Sequence, residues 1–217
     1  MTRRVLCICW ATHVLQTHLE PEFPSDEALA ARAARGSHAA FVSLVARHQR
    51  RVYRLAMRMC RHAADAEDVA QDTFAHAYRA IASFRGESKV TTWLYRIVLN
   101  ETLMRRRTEK RRPSESFDAL VKSELDPSAI QAGSDERMSA DELIDRKALT
   151  LRVMAALSSL DQHHRAALVL RDLEELSAEE SAKILGVGAD VVRQRAHRAR
   201  RMLREQLEPS VNAARRA

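Results

Sequence analysis

Residues 177–204 read SAEESAKILGVGADVVRQRAHRARRMLR, and this stretch decides the fold. Ser177 with Glu180 three residues later forms a capping box, so a helix is expected to start here. Ala182, Ile184 and Leu185 give that helix one apolar face, and Gly186 and Gly188 interrupt it. A second helix is expected from about Ala189, with Val192, Ala196, Ala199 and Leu203 as a thin apolar seam. Its other faces carry Arg193, Arg195, Arg198, Arg200, Arg201 and Arg204, with Asp190 and Glu205 as the only nearby acids. Two short helices about a glycine turn, the second loaded with arginine, have the form of a DNA-binding helix-turn-helix. The alternative is a surface hairpin whose arginines are merely solvated.

The rest of the chain supports a polyanionic partner. Its 217 residues suit one or two domains, and the formal net charge is +7. Helix formers dominate, whereas Gly and Pro number five each and aromatics reach only 5%, so an all-α protein is expected. Three cysteines, Cys7, Cys9 and Cys60, are too few and too badly spaced for a disulfide framework, and a reduced, cytoplasmic setting fits best. No apolar run is long enough to span a bilayer, so membrane insertion is not expected. Residues 1–24 faintly imitate a signal peptide, but His13 breaks the apolar run and no clear cleavage site follows. A disordered extension, or a start assigned too far upstream, is the expectation there.

Working back from the helix pair, residues 25–112 are strongly periodic. Phe41, Leu44, Val45, His48, Val52, Leu55 and Met59 recur at helical spacing, and His48 is expected to be packed rather than metal-bound. Asp65 is a plausible N-cap for a helix whose buried side is Val69, Thr73, Ala77, Ile81 and Phe84. Glu67, Asp68, Gln71 and Asp72 cluster at its exposed start, where the helix dipole favours acids and where a protein partner could also bind. Residues 84–88 break that helix, and another begins near Thr91 and ends in two basic triplets, Arg105 to Arg107 and Lys110 to Arg112. Cations suit a helix C-terminus, but six positive charges exceed what capping requires, and a phosphate-contacting surface is the sharper reading.

Residues 113–145 reverse the sign, with nine acids answered by Lys122 and Arg137, and Pro127 and Gly133 mark them as a linker. Residues 146–207 are helical again, with Leu151, Ala155 and Leu157, then Ala166 and Leu168 to Leu170, as apolar positions, and residues 208–217 form a tail. His163 and His164 are adjacent, so they point about 100° apart on a helix and cannot chelate together. The plan is two small helical domains, each ending in an arginine-rich helix, joined by a flexible acidic linker.

Two stretches carry a resemblance to a known family. DAEDVAQDTFAHAYRAIASFRGES with TTWLYRIVLNETLMRRR resembles region 2 of bacterial extracytoplasmic-function sigma factors of the sigma-70 family, and 157–204 resembles region 4 of the same family. The resemblance implies an RNA polymerase sigma factor that directs promoter recognition, DNA melting and initiation without being an enzyme and without a cofactor or metal. It implies that Asp65, Glu67, Asp68, Gln71 and Asp72 dock on the clamp helices of the β′ subunit, and that region 4 meets the β flap. The loop from Phe84 to Thr92, including Ser88, would receive a base flipped from the −10 element. Thr92 and Asn100 would complete that −10 site, with Arg105, Arg106 and Arg107 holding phosphates near it. Arg193, Gln194, His197 and Arg198 would face the −35 major groove, and Arg195, Arg200 and Arg201 would contact phosphate or neighbouring acids. Val191 stands where the family often has threonine, and Ser181 replaces a usual aliphatic residue. Control by an anti-sigma factor, in a stress or envelope response, is the family-level expectation. Two rivals from other classes are a duplex-binding regulator that never meets polymerase and a helical hydrolase. The first leaves residues 65–107 without a role, and the second lacks any GxxxxGKS or HExxH constellation.

Overall fold

In the computed structural model, which describes residues 24–60, 62–111 and 140–214, all regular structure among the described residues is helical. The expected N-terminal extension, Cys7, Cys9 and most of the expected linker lie outside those residues. Helix α1 spans Asp26–Ala34 and α2 spans His38–Met59. Ser25 and Ser37 cap them, accepting from Ala28 N at 3.1 Å and Ala40 N at 3.3 Å. Between the two caps Gly36 sits at φ +94°, a conformation that favours glycine.

Helix α3 covers Ala63–Ala80 and continues as a 3-10 turn over Ile81–Ser83, and α4 covers Val90–Arg111. The predicted stripe of α2 is buried except at Val45, which is half-buried at its edge, and Leu44, Val52, Leu55 and Met59 are all at 3% exposure or less. It packs on α3 and α4, which pack on each other, and α1 lies along α2. His48 belongs to this buried stripe, and its Nε2 lies 2.8 Å from Asp26 Oδ2 on α1. The carboxylate that partners it comes from another helix, so spacing along α2 could not disclose it. Removing a side chain such as Leu55 from this core costs about 2–5 kcal/mol.

Helix α5 spans Ala140–Ser159 and takes in the last six residues of the expected linker. Beyond Gly133 the sequence has no further Gly or Pro before the helix, and Ala140, Asp141 and Glu142 suit a first turn. Helix α6 runs Gln162–Leu168 and ends where Val169–Leu173 widens into a π-helical turn. Asp161 caps α6 and accepts from the backbone of His163 and His164, and its carboxylate also holds the His164 ring. Helices α7, Ala178–Leu185, and α8, Ala189–Ala214, complete the chain. The C-terminal helix thus continues through most of the expected tail. The two halves meet: α4 packs on α7, and α2 packs on α5 and α6, within one apolar cluster that includes Met59, Leu99, Leu168 and Ile184.

Candidate nucleic-acid interface

Both bonds of the capping box are formed, from Glu180 N to Ser177 Oγ at 3.0 Å and from Ser177 N to Glu180 Oε2 at 2.9 Å. Gly186 then takes the left-handed conformation, φ +65°, and its N–H donates to Ala182 O. This turn aims α8 away from α7 while Val192, Ala196 and Ala199, each at most 1% exposed, bury its inner side. With that side pinned, Arg193, Gln194, His197 and Arg198 fall together on the exposed side. The spacing of one and four residues places them on a single face. Val191, 38% exposed, is the third residue of α8 and so is not its cap. Ser181 is fully buried in α7, and its Oγ has no hydrogen-bond partner among the described residues.

The arginines differ sharply in what holds them. Arg193 binds Asp190 at 2.7 Å and Glu179 of α7 at 3.0 Å. Arg200 makes two 2.7 Å bonds to Asp172, and Arg201 lies 3.7 Å from Glu205. Glu179 and Asp172 come from other elements, so counting acids along α8 underestimates its pairing. Arg198, Gln194 and His197 have no side-chain polar partner among the described residues, which leaves their donors open to a ligand. Arg195 is half-buried and lines a cavity of about 130 Å³ with Asn100, Met59, Leu99 and Ile184. In this arrangement it faces the other domain.

The acidic cluster is built on the start of α3. The helix begins at Ala63 with His62 as cap, so Asp65 is in the first turn and does not cap it. Glu67, Asp68, Gln71 and Asp72 are exposed, whereas Asp65 is half-buried. Arg105, from α4, grips Asp65 through Nη2 at 3.0 Å and Asp68 at 2.7 Å. The resemblance assigns Arg105 to DNA, and in this arrangement it is engaged by two of the acids expected to meet polymerase. Arg106 is half-buried beside it, and the side chain of Arg107 lies outside the described residues.

The loop before α4 turns at Gly86, φ +73°. Phe84 packs on Trp93 with ring centroids 5.1 Å apart, which anchors both ends of the loop and sets the half-buried Trp93 against the core. Ser88 is half-buried and Asn100 exposed, but Thr92 is 8% exposed. Burial puts Thr92 beneath the surface on which the sequence reading placed it, because it lies on the inward side of the first turn of α4.

Two helical units, one ending in a helix-turn-helix with an outward basic and polar face, define a two-domain DNA-binding protein. Comparison with known proteins specifies the class further. Residues 44–112 match the model of Sigma-70 region 2, and residues 150–203 that of Sigma-70, region 4. The RNA polymerase sigma-H factor of Pseudomonas aeruginosa is 35% identical over 193 residues, spanning 87% of this chain and 97% of the relative. The ECF RNA polymerase sigma-E factor of Escherichia coli K12 is 34% identical over 187 residues, 86% of this chain and 96% of the relative. A sigma factor RpoE solved with the anti-sigma factor NepR from Bartonella quintana superposes with a TM-score of 0.58 at 25% identity, covering 77% of this chain and 96% of that one. The chain belongs to the extracytoplasmic-function sigma factors of the sigma-70 family. It is an RNA polymerase sigma factor and acts in promoter recognition and transcription initiation.

Proposed function

We propose that the exposed face of α8 reads the −35 element, with Arg198 and Gln194 at base edges and Arg193 and His197 beside them. Arginine can bond guanine O6 and N7 together, and glutamine adenine N6 and N7, so the face can tell base pairs apart in the major groove. The observation that carries the assignment is the open polar side of Arg198, Gln194 and His197 opposite a fully buried Val192–Ala199 seam. Arg200 donates to both oxygens of Asp172, through Nε and Nη2, and serves the domain's own structure.

In region 2, the loop held by the Phe84–Trp93 contact receives an extruded −10 base, with Ser88 at its rim and Asn100 and Arg106 along α4. An unpaired base exposes its pairing edge, so melting and reading are one event. Thr92 supports that loop from below. Asp65, Glu67, Asp68, Gln71 and Asp72 present a negative surface for the β′ clamp helices, and Arg105 holds the first and third of these carboxylates in register. The acidic segment between the domains occupies polymerase channels, and region 4 meets the β flap. The chain works in the cytoplasm, catalyses no reaction itself, and is held inactive by an anti-sigma factor, as the RpoE–NepR complex suggests by likeness.

Transcription in vitro with core polymerase on a pool of genomic fragments, with start sites mapped, tests the assignment. The expected result is a set of starts sharing two elements. Substituting Gln194 or Arg198 should then change the −35 element and leave the −10 element unaltered, and an unchanged −35 preference in both variants would refute the placement of α8.

A further inference from the structure

Three side chains, Glu174, Arg165 and Arg96, tie the two domains together, and the first lies where the backbone is irregular. Glu174 follows the π-helical turn Val169–Leu173 and precedes Glu175, whose φ of +55° is the only positive value at a non-glycine residue described. A π turn and a left-handed glutamate both cost conformational energy, and such features persist where surrounding contacts impose them. Here they aim the Glu174 carboxylate across the seam, where it accepts from Arg58 of α2 and from the Tyr95 hydroxyl of α4. The Glu174 side chain is only 10% exposed and Arg58 21%. Burial and the neighbouring carboxylate push the Tyr95 phenol's pKa up, so it stays a donor. Leu176 N bonds Leu170 O, and Arg171 Nη1 bonds Leu176 O at 2.5 Å, bracing the bend.

The second tie is Arg165, which has no exposed surface and donates through Nη1 to Met59 O, the last carbonyl of α2, at 2.7 Å. Its Nη2 stays within its own domain, on Ser158 O and on Leu160 O at 3.1 Å. The third is Arg96 of α4, bonded to Lys183 O of α7 at 3.0 Å.

This closed arrangement cannot be the promoter-bound one. Asn100 of α4 and Arg195 of α8 line a single cavity of about 130 Å³. Promoter elements about 17 base pairs apart are separated by roughly 58 Å along the duplex. A molecule whose two reading helices share one small cavity cannot occupy both.

We propose that Glu174 is an interdomain latch: by holding Arg58 and Tyr95 it keeps a resting form closed, with α4 and α8 held together across one small cavity, until separation of the domains releases it. Breaking a buried charged pair by removing one partner is costly to the state that contains it, so the latch is the natural point of control. The latch rests on the assignment of Asn100 and α8 to promoter reading.

The test uses the full chain. Glu174→Ala and Arg58→Glu are compared with the parent by small-angle scattering and by binding to a promoter duplex melted over the −10 element, without polymerase. Opening should enlarge the radius of gyration, and affinity should rise about tenfold as the competent fraction grows. The exchanged pair, Arg58→Glu with Glu174→Arg, should restore both values towards the parent's. Scattering reads closure with no DNA present, so a failed latch and a failed assignment of Asn100 are told apart.

A second arm guards against misfolding of the single variants. In a background lacking Cys7, Cys9 and Cys60, Arg96→Cys with Lys183→Cys is bridged by a cleavable bis-maleimide. The bridged protein should fail to direct initiation by core polymerase, and cleavage of the bridge should restore it. Parent-like scattering of both single variants, or full initiation by the bridged protein, would overturn the latch.

Discussion

Arg198 and Arg200 are two residues apart on α8 and do different things. Arg200 bonds Asp172 twice at 2.7 Å, whereas Arg198 is exposed with no polar side-chain partner among the described residues. Arg198→Ala should therefore weaken −35-dependent binding by about 1–3 kcal/mol and relax selectivity at one position. Competition binding against a panel of single-base −35 variants measures both effects, and a uniform loss across the panel would reassign Arg198 to phosphate. Arg200→Ala should leave selectivity intact and lower the domain's stability by up to about 1 kcal/mol, the range of a half-exposed pair. Arg105 belongs to the same comparison. It is one-third exposed and holds Asp65 and Asp68, so Arg105→Ala should lower affinity for core polymerase more than affinity for isolated DNA. These distinctions were not legible in the sequence: the acids that separate one arginine from the next, Glu179, Asp172, Asp65 and Asp68, lie on other elements.

Among the elements, α7 and its turn were the most legible, because the signals that specify them are local. The capping box needs only Ser177 and Glu180, and the stop needs only Gly186. Ser177→Ala should cost about 1 kcal/mol and Gly186→Ala a similar amount, since an L-residue at that φ is strained by about 1–2 kcal/mol. Urea unfolding of each variant measures this. The box also has a pH signature. The Ser177 N–H holds the Glu180 carboxyl below its ordinary pKa, reinforced by the Ser177 side chain. A lowered folded-state pKa supplies stability that is present above the ordinary value of about 4.3 and is lost as pH falls through the lowered one. Between about pH 5 and pH 3 the urea midpoint should therefore drop less steeply for Glu180→Gln than for the parent. The π turn after Leu168 was not legible, because Val169, Leu170 and Leu173 fit an ordinary α-helix equally well. The extra residue there is imposed by the pairing of Glu174 with Arg58 and Tyr95, more than seventy positions away in either case.

At the scale of the molecule, the two-domain plan was legible because a change in periodicity and charge sign marks the boundary, whereas the contact between the domains was not. Arg165 is fully buried on the backbone of α2. Nothing in the spacing of residues marks such a contact, since it joins positions 106 apart. The plan also sets a reach. The 28 residues from 112 to 139, between the end of α4 and the start of α5, can extend about 90 Å at 3.3 Å each, beyond the roughly 58 Å between promoter elements. Deleting 20 of them leaves about 26 Å, less than half of that separation. The shortened chain should still bind an isolated −35 duplex, because α8 and its supporting helices are intact. It should lose initiation from promoters with both elements, and it should stay closed, because the latch residues keep their positions. Binding to the −35 duplex and runoff transcription from a two-element promoter, measured on one preparation, separate these effects. Full runoff activity from the shortened chain would mean that the domains reach their elements by some route other than an extended tether.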